Sequence, residues 1–186
     1  MDQEGPRLGA ATESGRITSM ASGIHAAVIT VSDACSVGER KDESGESLVQ
    51  LLTELGAEIL QTKIVSDDLE PLIQQLRTFA QRGDVNLLIT TGGTGFGPRD
   101  NTPEATLQVI EREAPGLAEA MRNETLKYTP MAMISRGVCG ICAGTLIVNL
   151  PGSPKAVRES FAVIGPVLAH AVALLGGDTR HVSKTG

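Results

Sequence analysis

Aromatic residues are almost missing from this chain: no Trp, one Tyr and three Phe among 186 residues. A base-stacking platform for single-stranded nucleic acid is therefore excluded, and aliphatic side chains must fill the core. Positive charge is not in excess either. Sixteen Lys and Arg against 22 Asp and Glu give a formal charge of −6, which argues against binding to nucleic-acid phosphates. The three cysteines are an odd number, too few for a disulfide scaffold, and fit a reducing, cytoplasmic setting. The three histidines, His25, His170 and His181, are scattered and pair with no nucleophile. No apolar run reaches the roughly 18 to 20 residues that span a bilayer, so no membrane partner is expected.

What remains is an ordinary globular composition, 41% hydrophobic, in a chain long enough for one domain. Residues 1–23 are polar and rich in Gly and Ser, and read as a disordered tail. Residues 24–177 form the expected domain, and residues 178–186 a second tail. Within the domain, strand and helix patterns alternate. Residues 25–32, 58–65 and 85–91 read as strands, and residues 138–141 and 145–149 as two more. Leu48, Leu51, Leu52 and Leu55 form one helical stripe, with Ser44 as its cap and Gly56 as its stop. Leu69, Leu72, Ile73 and Leu76 form another, opened by Ser66-Asp67-Asp68. Residues 33–41 read as a polar loop. Helices are predicted over 103–113, 117–127 and 154–175, the last kinked or divided by Pro166. The order implies a three-layer α/β/α fold with a mostly parallel sheet, in which ligands sit beyond the carboxyl ends of strands.

Three candidate segments fall at such ends: Ser32-Asp33, Gly92 to Asp100, and Leu150 to Lys155, with Asp67 after the second strand. The segment Thr90-Thr91-Gly92-Gly93-Thr94-Gly95-Phe96-Gly97-Pro98-Arg99-Asp100 is the most telling. It lies between a buried strand and the helix start Thr102-Pro103-Glu104, so bare backbone N–H groups can approach an anion such as phosphate. It is not a P-loop, lacking Gly-Lys-Ser/Thr, and Pro98 breaks the dinucleotide fingerprint. Asp67 and Asp100 are the candidate carboxylate pair. A carboxylate some 5 Å from a phosphate charge is repelled by about 3 kcal/mol at an effective dielectric near 20. Such a cluster calls for a cation between the groups, and Mg²⁺ shared by carboxylates and substrate phosphates is the expected one. Pro151-Gly152-Ser153-Pro154-Lys155 places a cap and a cation at another strand end, and Ser135-Arg136 adds a hydroxyl and a guanidinium suited to anionic ligands. Cys139-Gly140-Ile141-Cys142 has the CxxC spacing without the helix start of a redox pair or the further ligands of a zinc site.

Assembled, these pieces resemble the MogA/MoaB family of molybdopterin adenylyltransferases, which includes the N-terminal G domain of gephyrin. The matching segments are Ile29 to Asp33, Leu88 to Asp100, Thr102 to Thr106, Ile110 to Gly116, Ile134 to Arg136 and Leu146 to Gly152. The resemblance implies a mixed sheet with one antiparallel strand, a homotrimer, and transfer of AMP from ATP to molybdopterin with Mg²⁺. It also implies a partner that inserts molybdate. The family's important aspartates fall on Asp67 and Asp100, as catalytic and metal-binding residues, and its molybdopterin-contacting serine on Ser135. Ser32, Asp33, Gly92, Gly93, Thr94, Gly95, Arg99, Glu104, Arg136, Pro151, Gly152, Ser153 and Lys155 complete the expected substrate and nucleotide contacts. Cys142 stands where the family often has a basic residue, and Ser66-Asp67-Asp68 leaves the choice between the two aspartates open. A non-catalytic scaffold that binds molybdopterin is the alternative.

Overall fold

The computed structural model describes residues 23–178; both expected tails lie outside the described residues, apart from Gly23 and Asp178. Its elements are β1 (His25–Val31), α1 (Asp33–Ser36), α2 (Glu43–Glu54), β2 (Glu58–Val65), α3 (Leu69–Ala80) and β3 (Leu87–Thr91). Then follow α4 (Thr102–Leu107), β4 (Arg112–Glu113), α5 (Pro115–Thr125), a 3-10 turn (Pro130–Ile134), β5 (Cys139–Cys142), β6 (Thr145–Leu150) and α6 (Pro154–Leu175). The six strands form one sheet in the order β2-β1-β3-β6-β5-β4. β1, β2, β3 and β6 are parallel, and β5 runs antiparallel to both of its neighbours. This is the expected three-layer α/β/α fold.

Strand alternation divides the core into two layers. Val28, Leu87, Ile89, Leu146 and Val148 face α2, α5 and α6, whereas Ile29, Leu88 and Ile147 face α3 and α4. Successive side chains on a strand point to opposite faces, so strands buried on both sides read as unbroken apolar runs. The parallel strands end together at Val31, Val65, Thr91 and Leu150. That common edge carries the site.

Four local expectations are corrected. Residues 33–41 are not all loop, because Asp33–Ser36 make one helical turn capped by Ser32. The cap of α2 is Asp42, not Ser44. The Asp42 carboxylate accepts from Gly45 N at 2.8 Å and from the Thr30 hydroxyl at 2.6 Å, which ties the helix start to β1. Helix α4 stops at Leu107 rather than continuing to residue 113. Arg112 and Glu113 instead pair with Ile141 and Gly140. The flanking Glu111 and Ala114 N–H groups also donate to β5 carbonyls, so sheet-edge pairing satisfies backbone groups that helical propensity would have used. Finally, α6 is continuous through Pro166. It is long and apolar enough to cross a membrane, which the expectation of no such run missed. Its Val157, Phe161, Ile164, Leu168 and Val172 belong to the core, as in a buried helix of an α/β domain.

Pro166 has no N–H to give the Ala162 carbonyl, and both residues are exposed on α6. Replacing it restores one helical hydrogen bond without disturbing the core. Pro166→Ala is expected to raise the unfolding free energy by about 1 to 2 kcal/mol in urea titrations; an unchanged or lower value contradicts this account of the helix.

Candidate active site

The site begins with a backbone too close for side chains. At Gly92, φ is +103°, and an added Cβ would lie 2.2 Å from the Val31 carbonyl oxygen. At Gly93, φ is +62° and a Cβ would meet the Thr102 hydroxyl at 2.5 Å. The ends of β1, β3 and β6 can therefore close on one another: Gly92 N donates to Leu150 O at 3.1 Å, and Thr102 Oγ1 donates to Gly92 O at 2.8 Å.

Two adjoining cavities open at this edge. The larger, about 430 Å³, is lined by Thr94, Gly95, Ser135, Pro151, Met121, Arg122 and Asn149 among others. The smaller, about 350 Å³, is lined by Thr30, Ser32, Arg40, Ser44, Asp67 and Gly92. Gly93, Asp100, Gly152 and Ser153 line both. Asp67 and Asp100 thus share one cavity with the glycine turn, as the sequence led us to expect. The structure separates the two neighbouring aspartates in space. Asp67 lines the cavity, while Asp68 accepts from Arg99 at 3.0 Å and from the Ser66 hydroxyl at 3.0 Å, outside it.

Asp67 is held by a reciprocal contact. Asp33 N donates to Asp67 Oδ2 at 2.7 Å, and Asp67 N donates to Asp33 Oδ1 at 3.0 Å. Its Oδ1 stands 3.5 Å from the position of a Gly93 Cβ. Burial pushes the Asp67 carboxyl above the usual carboxylate range; the hydrogen bond from Asp33 opposes this, and the charges of Asp33 and Asp100 add to it. With the folded value raised, this group favours folding below the ordinary carboxylate range. That advantage is lost as pH rises through the raised value. A cation between Asp67 and Asp100 would reverse the repulsion. No group of three or more metal-ligating side chains is found among the described residues. Two carboxylates fit Mg²⁺ only if other oxygens, such as substrate phosphates, complete its shell.

Several expected contact residues line neither cavity and have protein partners. Asp33 lines neither cavity; its carboxylate accepts from Arg99 Nε at 2.7 Å and Nη2 at 2.9 Å, which lowers its pKa. Arg99 is thereby committed to Asp33 and Asp68. Arg136 donates to Gly95 O at 2.6 Å and to Asp100 O at 2.5 Å, and pairs with Glu104. Arg136 and Glu104 clamp the glycine turn from behind rather than lining a cavity. Lys155 also lines neither; it lies 3.7 Å from Glu159. Ser32, Gly92, Gly93, Thr94, Gly95, Ser135, Pro151, Gly152 and Ser153 do line the cavities. Arg40 and Arg122 were missed. Arg40 sits in a segment with no pattern, and Arg122 lies on an amphipathic helix where an Arg is unremarkable.

Residues 27–170 match the family described as "Probable molybdopterin binding domain". The chain belongs to that family. It is 47% identical to the molybdenum cofactor synthesis protein cinnamon of Drosophila melanogaster over 159 residues, 85% of this chain but 26% of that protein. It is 37% identical over 163 residues to a molybdopterin adenylyltransferase of Helicobacter pylori, covering 87% of this chain and 93% of the relative. Among solved structures, the molybdopterin biosynthesis enzyme MoaB of Thermus thermophilus matches with a TM-score of 0.78 and 45% identity, over 83% of this chain and 97% of that one.

Cys142, where the family often carries a basic residue, ends β5 buried in the α3/α4 layer and lines neither cavity. Cys139 faces the opposite layer, so the CxxC pair straddles the strand and forms neither a disulfide nor a metal clip. Burial pushes the Cys139 thiol up to about 12. At pH 8 the native protein should modify at Cys139 at least about a hundredfold more slowly than the denatured chain, followed by peptide mass mapping. Rapid native labelling would contradict its placement.

The crowding at Gly92 gives a second expectation. Gly92→Ala should cost about 3 kcal/mol or more in denaturant unfolding, from strain and overpacking together. Gly116→Ala is the control, because a Cβ there meets nothing within 4 Å. Equal effects of the two changes would refute the close-approach argument.

Proposed function

We propose that this chain is a molybdopterin adenylyltransferase, transferring AMP from ATP to the terminal phosphate of molybdopterin and releasing pyrophosphate. The observation that carries the reading is the pair of cavities meeting at Gly93, Asp100, Gly152 and Ser153. A two-substrate transfer needs both ligands in one space with their reacting atoms at a junction. The similarity to molybdopterin adenylyltransferases over nearly their whole length supports the same assignment.

In this reading the larger cavity takes the pterin, with Ser135 and Arg122 as polar contacts. The polar cavity takes the polyphosphate, against the backbone of Gly92 and Gly93. The molybdopterin phosphate attacks the α-phosphorus of ATP and the bond to the bridging oxygen breaks, so pyrophosphate leaves with the electron pair. A phosphate nucleophile is already ionised near neutral pH, and no strong general base is needed. Positioning and charge neutralisation dominate. Asp67 and Asp100 would hold Mg²⁺, which supplies positive charge against the crowded phosphates when bound. Asp33, fixed by Arg99, keeps the Asp67 carboxylate turned toward the cavity. The Arg136–Glu104 clamp keeps the glycine turn closed.

The assembly in this reading is a homotrimer, and molybdate insertion falls to a partner protein or to another domain. The exposed Tyr128, Met131 and Met133 beside the larger cavity supply apolar surface for such contacts. Three unpaired cysteines are consistent with a reducing, cytoplasmic setting.

The test is pyrophosphate release from ATP, Mg²⁺ and molybdopterin. The unaltered protein should require all three, and Asp100→Asn should lower kcat by about a hundredfold or more with its circular dichroism unchanged. Binding of molybdopterin without pyrophosphate release would leave a scaffold module instead. Near-normal turnover by the variant would remove Asp100 from the metal site.

A further inference from the structure

Five cations lie near the strand ends, and three of them pair with carboxylates. Arg99 is fixed by two aspartates, Arg136 by Glu104, and Lys155 by Glu159. Arg122 lines the larger cavity but donates to the Gly137 carbonyl at 2.8 Å. Arg40 is different. Its Nη2 donates to the Ser32 hydroxyl at 3.0 Å, and it forms no ion pair among the described residues. It is exposed, yet it lines the polar cavity, where it is the single cation among the described lining residues, facing Asp67 and Asp100.

Its position within the site is also informative. Gly93, Asp100, Gly152 and Ser153 belong to both cavities, so the phosphorus undergoing transfer belongs there. Arg40 lines the polar cavity and not the larger one. Its neighbours Thr30, Ser32 and Ser44 supply hydroxyl groups suited to phosphate oxygens. A guanidinium offers a forked set of donors to phosphate and stays charged at every working pH. Its guanidinium bonds the Ser32 hydroxyl and also neighbours the Cys35 side chain, within the field of Asp42 and Asp67.

The geometry points to Arg40 as the binding residue for the pyrophosphate portion of the nucleotide, the two phosphates that leave. This assignment rests on the adenylyl-transfer reading, and it makes Arg40 a residue that discriminates triphosphate from monophosphate. The two carboxylates of the cavity repel a polyphosphate, and Arg40 offsets that repulsion within the polar cavity. Because the contact persists from bound substrate to transition state, its loss should fall on affinity more than on turnover.

Calorimetric titration of the full chain with inorganic pyrophosphate and with AMP, both in Mg²⁺, tests this directly. Arg40→Gln should weaken pyrophosphate binding about tenfold and leave AMP within about twofold, since a charged hydrogen bond is lost to only one ligand. Arg40→Lys should recover part of the loss, because it keeps the charge without the fork. In steady state, KM for ATP should rise about tenfold with kcat changed by no more than about threefold. The assignment is overturned if Arg40→Gln binds pyrophosphate like the unaltered protein, if AMP weakens equally, or if the unaltered protein does not bind pyrophosphate. Failure of the adenylyl-transfer reading would show separately, as absence of turnover by a protein whose pyrophosphate affinity still depends on Arg40.

Discussion

The site depends on a steric condition at Gly92. Its backbone passes so close to the Val31 carbonyl that a Cβ would sit 2.2 Å from the oxygen. Gly152 approaches from the other side, where a Cβ would lie 3.1 Å from the Gly92 Cα. Three parallel strands can therefore end against one another with no side chain between them. Thr102 closes the corner: its hydroxyl donates to Gly92 O and its N–H to Gly93 O. This fixes where α4 begins. With any larger residue at Gly92 the strand ends must separate, and Asp67, Asp100 and Ser153 no longer line a common space.

Charge placement follows from the same closure. Acidic groups brought this near one another need partners, and the chain provides them outside the cavity rather than within it. Arg99 joins Asp33 to Asp68, and Asp33 in turn exchanges hydrogen bonds with Asp67. Arg136 joins the loop carbonyls of Gly95 and Asp100 to Glu104. Asp67 and Asp100 are left facing the cavity without a cation in ion-pair contact, which is the condition a divalent ion relieves. The buried polar groups behind them are satisfied. Asn149 donates to the Thr90 and Thr106 hydroxyls at 3.0 Å each, and no buried side-chain nitrogen or oxygen among the described residues lacks a partner. A network satisfied in this way holds β3, β6 and α4 in a fixed relation beneath the site.

Much of this was legible in the residues, and the failures have physical causes. Apolar runs marked β1, β3 and β6 because both of their faces are buried. Leucine stripes marked α2 and α3 because each presents one face to the sheet. The strand pairing of Arg112 and Glu113 was hidden, since two residues carry no periodicity and their partners lie in β5. The glycine turn and Asp100 stood out because they lie in one segment, whereas Asp67 was singled out by its place after β2 and by the family resemblance. Arg99, Arg136 and Lys155 were assigned to ligands from residue type and place along the chain, which say that a charge is near a strand end but not which neighbour neutralises it. Arg40 escaped for the reverse reason: nothing around it in sequence is distinctive, and only the folded chain brings it to Asp67.

The glycines of the turn also shape the setting of Asp100. A Cβ on Gly95 or Gly97 would lie 2.9 Å or 2.8 Å from Asp100 Oδ2, and Gly97 N donates to that same oxygen at 2.7 Å. The turn therefore wraps the Asp100 carboxylate, restricting it to one orientation and engaging one of its oxygens. The other oxygen is left for a ligand or a metal. A single run of bare backbone thus both lines the cavities and orients the carboxylate beside it, so these two features cannot be separated by changing one glycine. Side chains that tune substrate affinity must then come from outside the turn. Arg40 meets that condition: it comes from the segment after α1, reaches the cavity from the β1 side, and makes no contact that holds the glycine turn together.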